Sequence, residues 1–345
     1  AAMNRDPIQR DHNLRGKGGG GGTMRVLIAG NAVAVLPESG LSDLRAEGFD
    51  VAYRPKVDEE SLAGAVTEAR AEVLVVRGTR VNRKVLETDS LRLVIVAGAG
   101  YDHVDLNAAA AHRVYVANCP GTNAAAVAEL AFGLMLALDR RIPENVADLS
   151  RGQWNRRANS RARGLYGRTL GLVGLGRIGQ EMVPRAHAFG MGVVAWSRSL
   201  TSQRAGALGV GIMASPLELA TASDVVSVHV ALTYQTRCLI DGAFFAAMRP
   251  GALLINTARP EVLDQEALVR AVREKGVRAG LDVFEGEPMG DTGAFDAGLF
   301  RDQGIIGTQH IGGATEQAWQ AGATEVLRVI RTYRDTGIPA NRVGS

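Results

Sequence analysis

Glycines 174, 176 and 179, in the stretch Gly171-Leu-Val-Gly-Leu-Gly-Arg-Ile-Gly179, are spaced to hold a dinucleotide by its pyrophosphate. Gly174 allows a tight turn. Gly176 lets the backbone come close to the phosphates, and Gly179 lets a helix pack against the strand before it. The helix start then offers unpaired N–H groups and a positive dipole end to the negative charge. Glycine-rich turns are common, so the spacing carries weight only where a strand enters and a helix leaves. Both are predicted here: a strand over 169–173, an amphipathic helix over 177–189 and a second strand over 192–196.

Elements of the same kind recur along the chain. From Met24 onward, β-rich runs at 25–29, 51–54, 72–76, 93–96 and 114–117 alternate with helical stretches such as 59–70 and 104–111. A Pro120-Gly121 turn follows, then a long helix over 123–140 and a helix-prone segment over 144–151. The second series has strands at 170–173, 193–196, 225–230, 252–256, 278–281 and 305–306, and a last helix spans 316–334. Such alternation means parallel sheets with crossover helices. Six strands with the glycine turn after the first is the doubly wound dinucleotide-binding pattern. Nothing repeats at a fixed period, which excludes a solenoid.

Composition narrows the class. A chain of 345 residues holds about two domains. The net charge of +3 is small for this length and argues against a nucleic-acid partner. The longest apolar run, 124–138, is interrupted by Glu129 and ends in Asp139-Arg140-Arg141, so it reads as a buried helix and not a membrane span. Cys119 and Cys238 are too few and too distant for a disulfide framework or a metal site, which points to a reducing, cytoplasmic setting and no metal. Residues 1–23 read as a flexible leader ending in a glycine linker.

Further ordered motifs carry a family resemblance. Asn256-Thr-Ala-Arg259, Leu281-Asp-Val-Phe-Glu-Gly-Glu-Pro288 and Thr308-Gln-His-Ile-Gly-Gly-Ala-Thr315 follow the glycine turn in order. Val75-Val-Arg-Gly-Thr79, Gly98-Ala-Gly-Tyr-Asp102, Asn118-Cys-Pro-Gly-Thr-Asn123 and Ala128-Glu-Leu130 precede it. Together they resemble the D-isomer-specific 2-hydroxyacid dehydrogenases, above all the phosphoglycerate dehydrogenase branch without its regulatory C-terminal domain. The resemblance runs from Met24 to about Pro339. It implies an α/β protein of two doubly wound parallel-sheet domains. A Rossmann cofactor domain, 122–311, would be inserted into a discontinuous flavodoxin-like substrate domain, 24–121 plus 312–345. It also implies a homodimer through the cofactor domain, with the helices of 123–151 and an arm reaching toward Arg163 in the contact.

Reducing a 2-keto acid requires a carboxylate anchor, a polarised carbonyl and a proton for its oxygen. Arg259 suits the first two, because a planar guanidinium engages carboxylate and carbonyl oxygens together. His310 suits the third, as general acid in reduction and base in oxidation. Glu287 suits a support role, since a carboxylate beside an imidazole favours the protonated ring and fixes its orientation. The matching residues form the catalytic set of the similar family. Pro260 and Gln309 depart from it, standing where glycine and proline are usual.

The resemblance also implies a cofactor set beyond the three glycines. Arg177 and Ile178 go to the pyrophosphate. Thr257 and Ala258 go to the nicotinamide side and Asp282 to the carboxamide, with His229 as a cofactor wall and Thr236 and Gly312 lining the same site. At the end of the second strand stand Ser197, Arg198 and Ser199, with no acidic residue for the ribose hydroxyls. Arg198 could pair with a 2′-phosphate, which favours NADP(H) over NAD(H). For the substrate, Arg77, Gly78, Gly100 and Tyr101 match substrate-domain loops, alongside Arg259. Arg77 could hold a second anionic group, giving a small dianionic 2-keto acid as partner. A simple glyoxylate- or hydroxypyruvate-type reductase is the alternative. Formate oxidation is disfavoured by Glu287, where that branch uses Gln. A nucleotide-sensing protein like the corepressors of this fold keeps the same three residues and is disfavoured by the small net charge.

Overall fold

The computed structural model describes residues 23–288, 292–302 and 304–344, so the leader, Thr23 apart, lies outside the described residues. The chain divides into two units. One runs up to Asn123 and resumes at Thr315; the other is Ala124–Ala314.

The first unit is built on β1 (Arg25–Ala29), β2 (Asp50–Arg54), β3 (Val73–Val76), β4 (Leu93–Val96) and β5 (Tyr115–Asn118), in the spatial order β5-β4-β3-β1-β2 and all parallel. This is the flavodoxin-like order. β3 and β4 read Val-Leu-Val-Val and Leu-Val-Ile-Val and are buried throughout. Unbroken apolar runs of this kind belong to parallel strands covered on both faces. On one face Val26, Ile28, Val73, Val75 and Ile95 pack with Val326, Val329 and Ile330 of the helix Glu316–Thr336. On the other, Leu27, Leu74, Val76 and Val94 pack with Leu62, Val66, Val85 and Leu86.

The second unit is built on β6 (Thr169–Val173), β7 (Gly192–Trp196), β8 (Gly211–Ile212), β9 (Val225–Val228), β10 (Leu253–Asn256), β11 (Arg278–Leu281) and β12 (Ile305–Gly307). Their order is β12-β11-β10-β9-β6-β7-β8. The chain winds outward from β6 in one direction and then returns to wind outward from β9 in the other. The switch point therefore falls between β6 and β9. The helices Ala124–Arg140 and Arg177–Ala188 cover one face, with Ala131, Met135, Leu138, Met182 and Val183 against Leu170, Leu172 and Ile255. Phe244 and Leu268 pack with Val226, Val228 and Leu254 on the other face.

At the amino ends of β6 and β9, Asp224 ties the sheet together. Its Oδ2 accepts from Thr169 N at 3.0 Å, and Arg249 and Arg163 lie 3.3 and 3.6 Å from its Oδ1. Burial alone would raise the Asp224 pKa. The Thr169 amide and the cations of Arg249 and Arg168 outweigh it and hold the carboxyl below its ordinary value.

The expected strands are present to within two residues at each end. Two corrections concern short strands. β8 was not expected, and it makes the second sheet seven-stranded. The first sheet is not purely parallel: β13 (Arg342–Val343) runs antiparallel to β5 and covers that edge. Two residues are too few to show a period. The strand expected over 225–230 ends at Val228, which leaves His229 just beyond it.

Candidate active site

Every residue expected on the cofactor, and all three expected at the reacting centre, lies in the second unit, in the segments that leave the carboxyl ends of its strands. Ligands of open α/β sheets bind at that edge, around the switch point.

The glycine turn leaves β6. Gly174 has φ +100, and a Cβ there would stand 2.6 Å from the carbonyl oxygen of His229. A Cβ on Gly179 would stand 2.4 Å from the carbonyl oxygen of Gly174, so the helix presses directly on the turn. Gly176 differs. It caps the helix Arg177–Ala188, is exposed, and a Cβ built on it meets nothing within 4 Å. The turn is thus closed toward the protein and open toward a ligand, as a bound pyrophosphate requires. Arg177 is exposed and Ile178 half-buried beside it.

Past β7, Ser197 is half-buried while Arg198 and Ser199 are exposed. Among the described residues Arg198 has no hydrogen-bond or ion-pair partner. Past β9, His229 places Nε2 2.8 Å from Ser227 Oγ and Nδ1 3.5 Å from Thr257 Oγ1. Burial pushes its pKa down to about 3, so the ring is neutral at physiological pH. That state suits a wall and not an acid. Thr236 is buried, and its hydroxyl is engaged within its own loop, donating to Ala231 O at 2.7 Å and accepting from Thr233 N at 2.7 Å. Thr257 and Ala258 are buried at the end of β10.

The segment after β10 carries Arg259. Buried Asn256 shapes it: Asn256 Oδ1 accepts from Ala258 N at 3.0 Å and Asn256 Nδ2 donates to Arg259 O at 3.1 Å. Pro260 then opens a 3-10 turn, Pro260–Val262, at its first position. There the missing N–H costs no turn hydrogen bond and the fixed φ is helpful, which accounts for the departure from glycine. The Arg259 side chain is half-buried, with Nη1 2.8 Å from Ala258 O.

The segments after β11 and β12 bring Glu287 and His310 together. His310 Nδ1 lies 3.1 Å from Glu287 Oε2, with the imidazole side chain 51% exposed. His310 has φ +52, a left-handed conformation uncommon outside glycine. Gln309 before it is exposed. Asp282 lies beneath this loop, 1% exposed. Its carboxylate accepts from Thr308 Oγ1 at 2.6 Å, Ile311 N at 2.9 Å and Gly312 N at 2.8 Å. Asn256 and Thr308 sit inside motifs quoted from the sequence, but nothing in their type marks them as bracing residues.

In the first unit, Arg77 and Gly78 follow β3, and Gly100 and Tyr101 follow β4. They line the carboxyl edge of that sheet and are exposed or half-buried. Asn31, after β1, was not singled out from the sequence. Its Oδ1 accepts from Gly78 N at 3.1 Å and fixes the Arg77 loop.

The expected contact region forms an arm of the helices Ile142–Ser150 and Arg156–Asn159. Ile142, Val146, Leu149 and Trp154 are exposed there, Trp154 by 78%. Asp148 organises the arm, accepting from Arg151, Asn155 and Asn159 at 2.8 to 3.2 Å. No helix among the described residues is long and apolar enough to cross a membrane.

Known proteins resemble the chain in sequence and in fold. Residues 132–312 match the family model described as the D-isomer specific 2-hydroxyacid dehydrogenase, NAD binding domain. D-3-phosphoglycerate dehydrogenase of Methanocaldococcus jannaschii is 41% identical over 266 residues, 76% of this chain and 49% of that one. Hydroxypyruvate reductase of Thermotoga maritima is 37% identical over 273 residues, 77% of this chain and 85% of that one. The holo structure of Rhodotorula graminis D-mandelate dehydrogenase superposes with a TM-score of 0.83 at 29% identity, covering 94% of this chain and 98% of that one. The chain spans about half the length of the curated phosphoglycerate dehydrogenases it matches.

Proposed function

The chain belongs to the D-isomer specific 2-hydroxyacid dehydrogenase family, and we propose that it interconverts a small 2-keto acid and the corresponding D-2-hydroxy acid. The observation that carries this reading is the His310–Glu287 pair at 3.1 Å, on loops neighbouring that of Arg259. Glu287 engages Nδ1, which leaves Nε2 as the ring nitrogen for substrate. In reduction Nε2 gives its proton to the substrate oxygen, and in oxidation it takes the hydroxyl proton. Arg259 holds the substrate carboxylate and draws charge from the carbonyl. A bound nicotinamide cofactor supplies or accepts the hydride. Gly174, Gly176, Arg177, Ile178 and Gly179 would hold its pyrophosphate, with His229, Thr236, Thr257, Ala258, Asp282 and Gly312 about the nicotinamide end.

NADP(H) is the preferred cofactor in this reading. Ser197, Arg198 and Ser199 offer no carboxylate to repel a 2′-phosphate, and Arg198 is exposed to meet one. Arg77 favours a substrate with a second anionic group, of the 3-phosphohydroxypyruvate kind; the hydroxypyruvate reductase relative marks the simpler alternative. The exposed apolar side chains of the arm fit a homodimer. Two cysteines without a disulfide fit a reducing compartment.

The test is steady-state oxidation of NADPH and NADH against glyoxylate, hydroxypyruvate and 3-phosphohydroxypyruvate. Turnover with at least one supports the reading. A flat panel with tight cofactor binding intact would overturn it in favour of a nucleotide-binding protein without turnover.

A further inference from the structure

We infer that Asn118 is a positioning residue for the substrate carboxylate, acting through the loop that follows β4, and that the C-terminal segment at Asn341 holds it in place. The inference rests on the proposed function, and on Gly100 and Tyr101 as substrate contacts at the carboxyl edge of the first sheet.

The loop 98–101 cannot place itself by packing. Gly98 and Gly100 have no side chain and Ala99 only a methyl group, and all three are half-buried. Two groups at the end of β5 hold the loop instead. The amide of Cys119 donates to Gly98 O at 2.9 Å, and Asn118 Nδ2 donates to Ala99 O at 2.7 Å. Across a trans peptide the N–H points opposite to the C=O. With both carbonyls drawn toward β5, the amides of Ala99 and Gly100 are turned away from it. Those of Ala97 and Gly98 are engaged, by Val76 O at 2.7 Å and Val96 O at 2.8 Å. Those of Ala99 and Gly100 have no hydrogen-bond partner among the described residues. Two successive N–H groups left open in this way suit a carboxylate.

Asn118 is itself fixed from behind. It is 7% exposed and ends β5 opposite Val96. Its carbonyl accepts from Asn341 Nδ2 at 3.2 Å, and its amide donates to Asn341 O at 3.3 Å, where β13 joins the sheet. Asn341 has φ +54 and is tied in turn to the helix Glu316–Thr336. Its Nδ2 also donates to Glu325 Oε1, and its Oδ1 accepts from Arg328 Nη2 at 3.4 Å. One continuous set of hydrogen bonds therefore runs from that helix through Asn341 and Asn118 to the Ala99–Gly100 peptide. β13 does more than cover a sheet edge: the segment that leads into it braces a loop that meets substrate.

Asn118→Ala removes the donor to Ala99 O and frees that peptide to turn. The readouts are kcat and KM for glyoxylate at saturating NADPH, the Kd of NADPH by fluorescence, and the Kd of oxamate, a carboxylate without a reducible ketone, by calorimetry in the presence of NADPH. KM and the oxamate Kd should both rise about tenfold, the weight of one hydrogen bond to a charged group. kcat should stay within about twofold, because a carboxylate is gripped alike before and during hydride transfer. NADPH affinity should also stay within about twofold, since the expected cofactor residues all lie in the other unit. Asn341→Gly permits the left-handed backbone and removes the side chain that accompanies it. It should act in the same direction more weakly, and it carries the test if Asn118→Ala does not fold.

Unchanged KM and oxamate Kd beside a lowered Tm would overturn the inference, leaving Asn118 a structural role alone. Equal weakening of NADPH and oxamate would overturn it as general damage, and a fall in kcat at unchanged KM would overturn it as an effect on the reacting centre. If wild-type protein turns over no 2-keto acid, the proposed function fails and the oxamate titration decides this inference by itself. Weaker oxamate binding by Asn118→Ala than by wild type upholds it; equal binding, or none by wild type, rejects it.

Discussion

His310 and Glu287 meet across two loops that leave neighbouring strands, and the contact uses Nδ1 of the ring. Which ring nitrogen remains for chemistry is thereby decided by a carboxylate that itself has no need to touch substrate. His310→Ala should lower kcat about 10²–10⁴-fold, the weight of a general acid, with NADPH affinity kept. Glu287→Gln should cost less, since the amide can still bond the ring. Stopped-flow or steady-state NADPH oxidation checks both, and near-normal kcat in His310→Ala would reject the assignment.

Two glycines of one turn should respond in opposite ways. Gly179→Ala places a methyl group 2.4 Å from a backbone oxygen and should destabilise the protein by about 1–3 kcal/mol. Gly176→Ala meets open space at an ordinary φ, so Tm should stay within about 2 °C. Its Kd for NADPH should nonetheless rise, because the methyl group occupies the approach of the phosphates. Thermal melts beside fluorescence titrations separate the two effects.

Cofactor preference should turn on Ser197 and Arg198. Arg198→Ala should weaken NADPH about tenfold and NADH much less, in keeping with one charge-assisted contact at an exposed position. Ser197→Asp should reverse the preference by repelling the 2′-phosphate and accepting from the ribose. Comparison of kcat/KM for the two cofactors measures this. A wild-type enzyme far better with NADH would refute the reading of this strand end.

Arg77→Ala should raise KM about tenfold for 3-phosphohydroxypyruvate and leave glyoxylate little changed, as expected of a residue that recognises only the remote anion. Equal losses on both substrates would mean that Arg77 serves the fold.

Asp224 gives a pH-dependent prediction remote from the site. Its folded pKa lies below the ordinary 3.8, so its contribution is present above that value and lost as pH falls through the folded pKa. Asp224→Asn should therefore cost about 1–2 kcal/mol at pH 7. The gap between variant and wild type should close below about pH 4. Urea titrations at pH 7 and pH 3 test the sign.

The fold was legible where apolar runs were long enough to carry a period. β3, β4 and the helix Glu316–Thr336 are of this kind. β8 and β13 were not, because two residues have no period. Several short helices went unread although their caps are explicit: Thr201, Ser215, Asp241 and Asp264 each accept from the amide three residues on. Among the site residues, Gly174 and Gly179 carried their geometry in their type. Asn256 and Asp282 did not. A buried Asn or Asp at a strand end bonds whatever backbone the tertiary fold brings to it, and that partner lies 26 to 30 residues away for Asp282.

The interruption of the first unit has a consequence for biosynthesis. Its sheet strands β1 to β5 emerge from the ribosome before residue 124, yet the helix that closes one face of that sheet starts at Glu316. At roughly 5–20 residues per second, that face waits on the order of ten seconds or more for Val326, Val329 and Ile330. The second unit is continuous, and can fold in the interval. Until then Leu36, Leu41 and Leu44 are left to cover that face in part, and the patch that Val326, Val329 and Ile330 fill stays open.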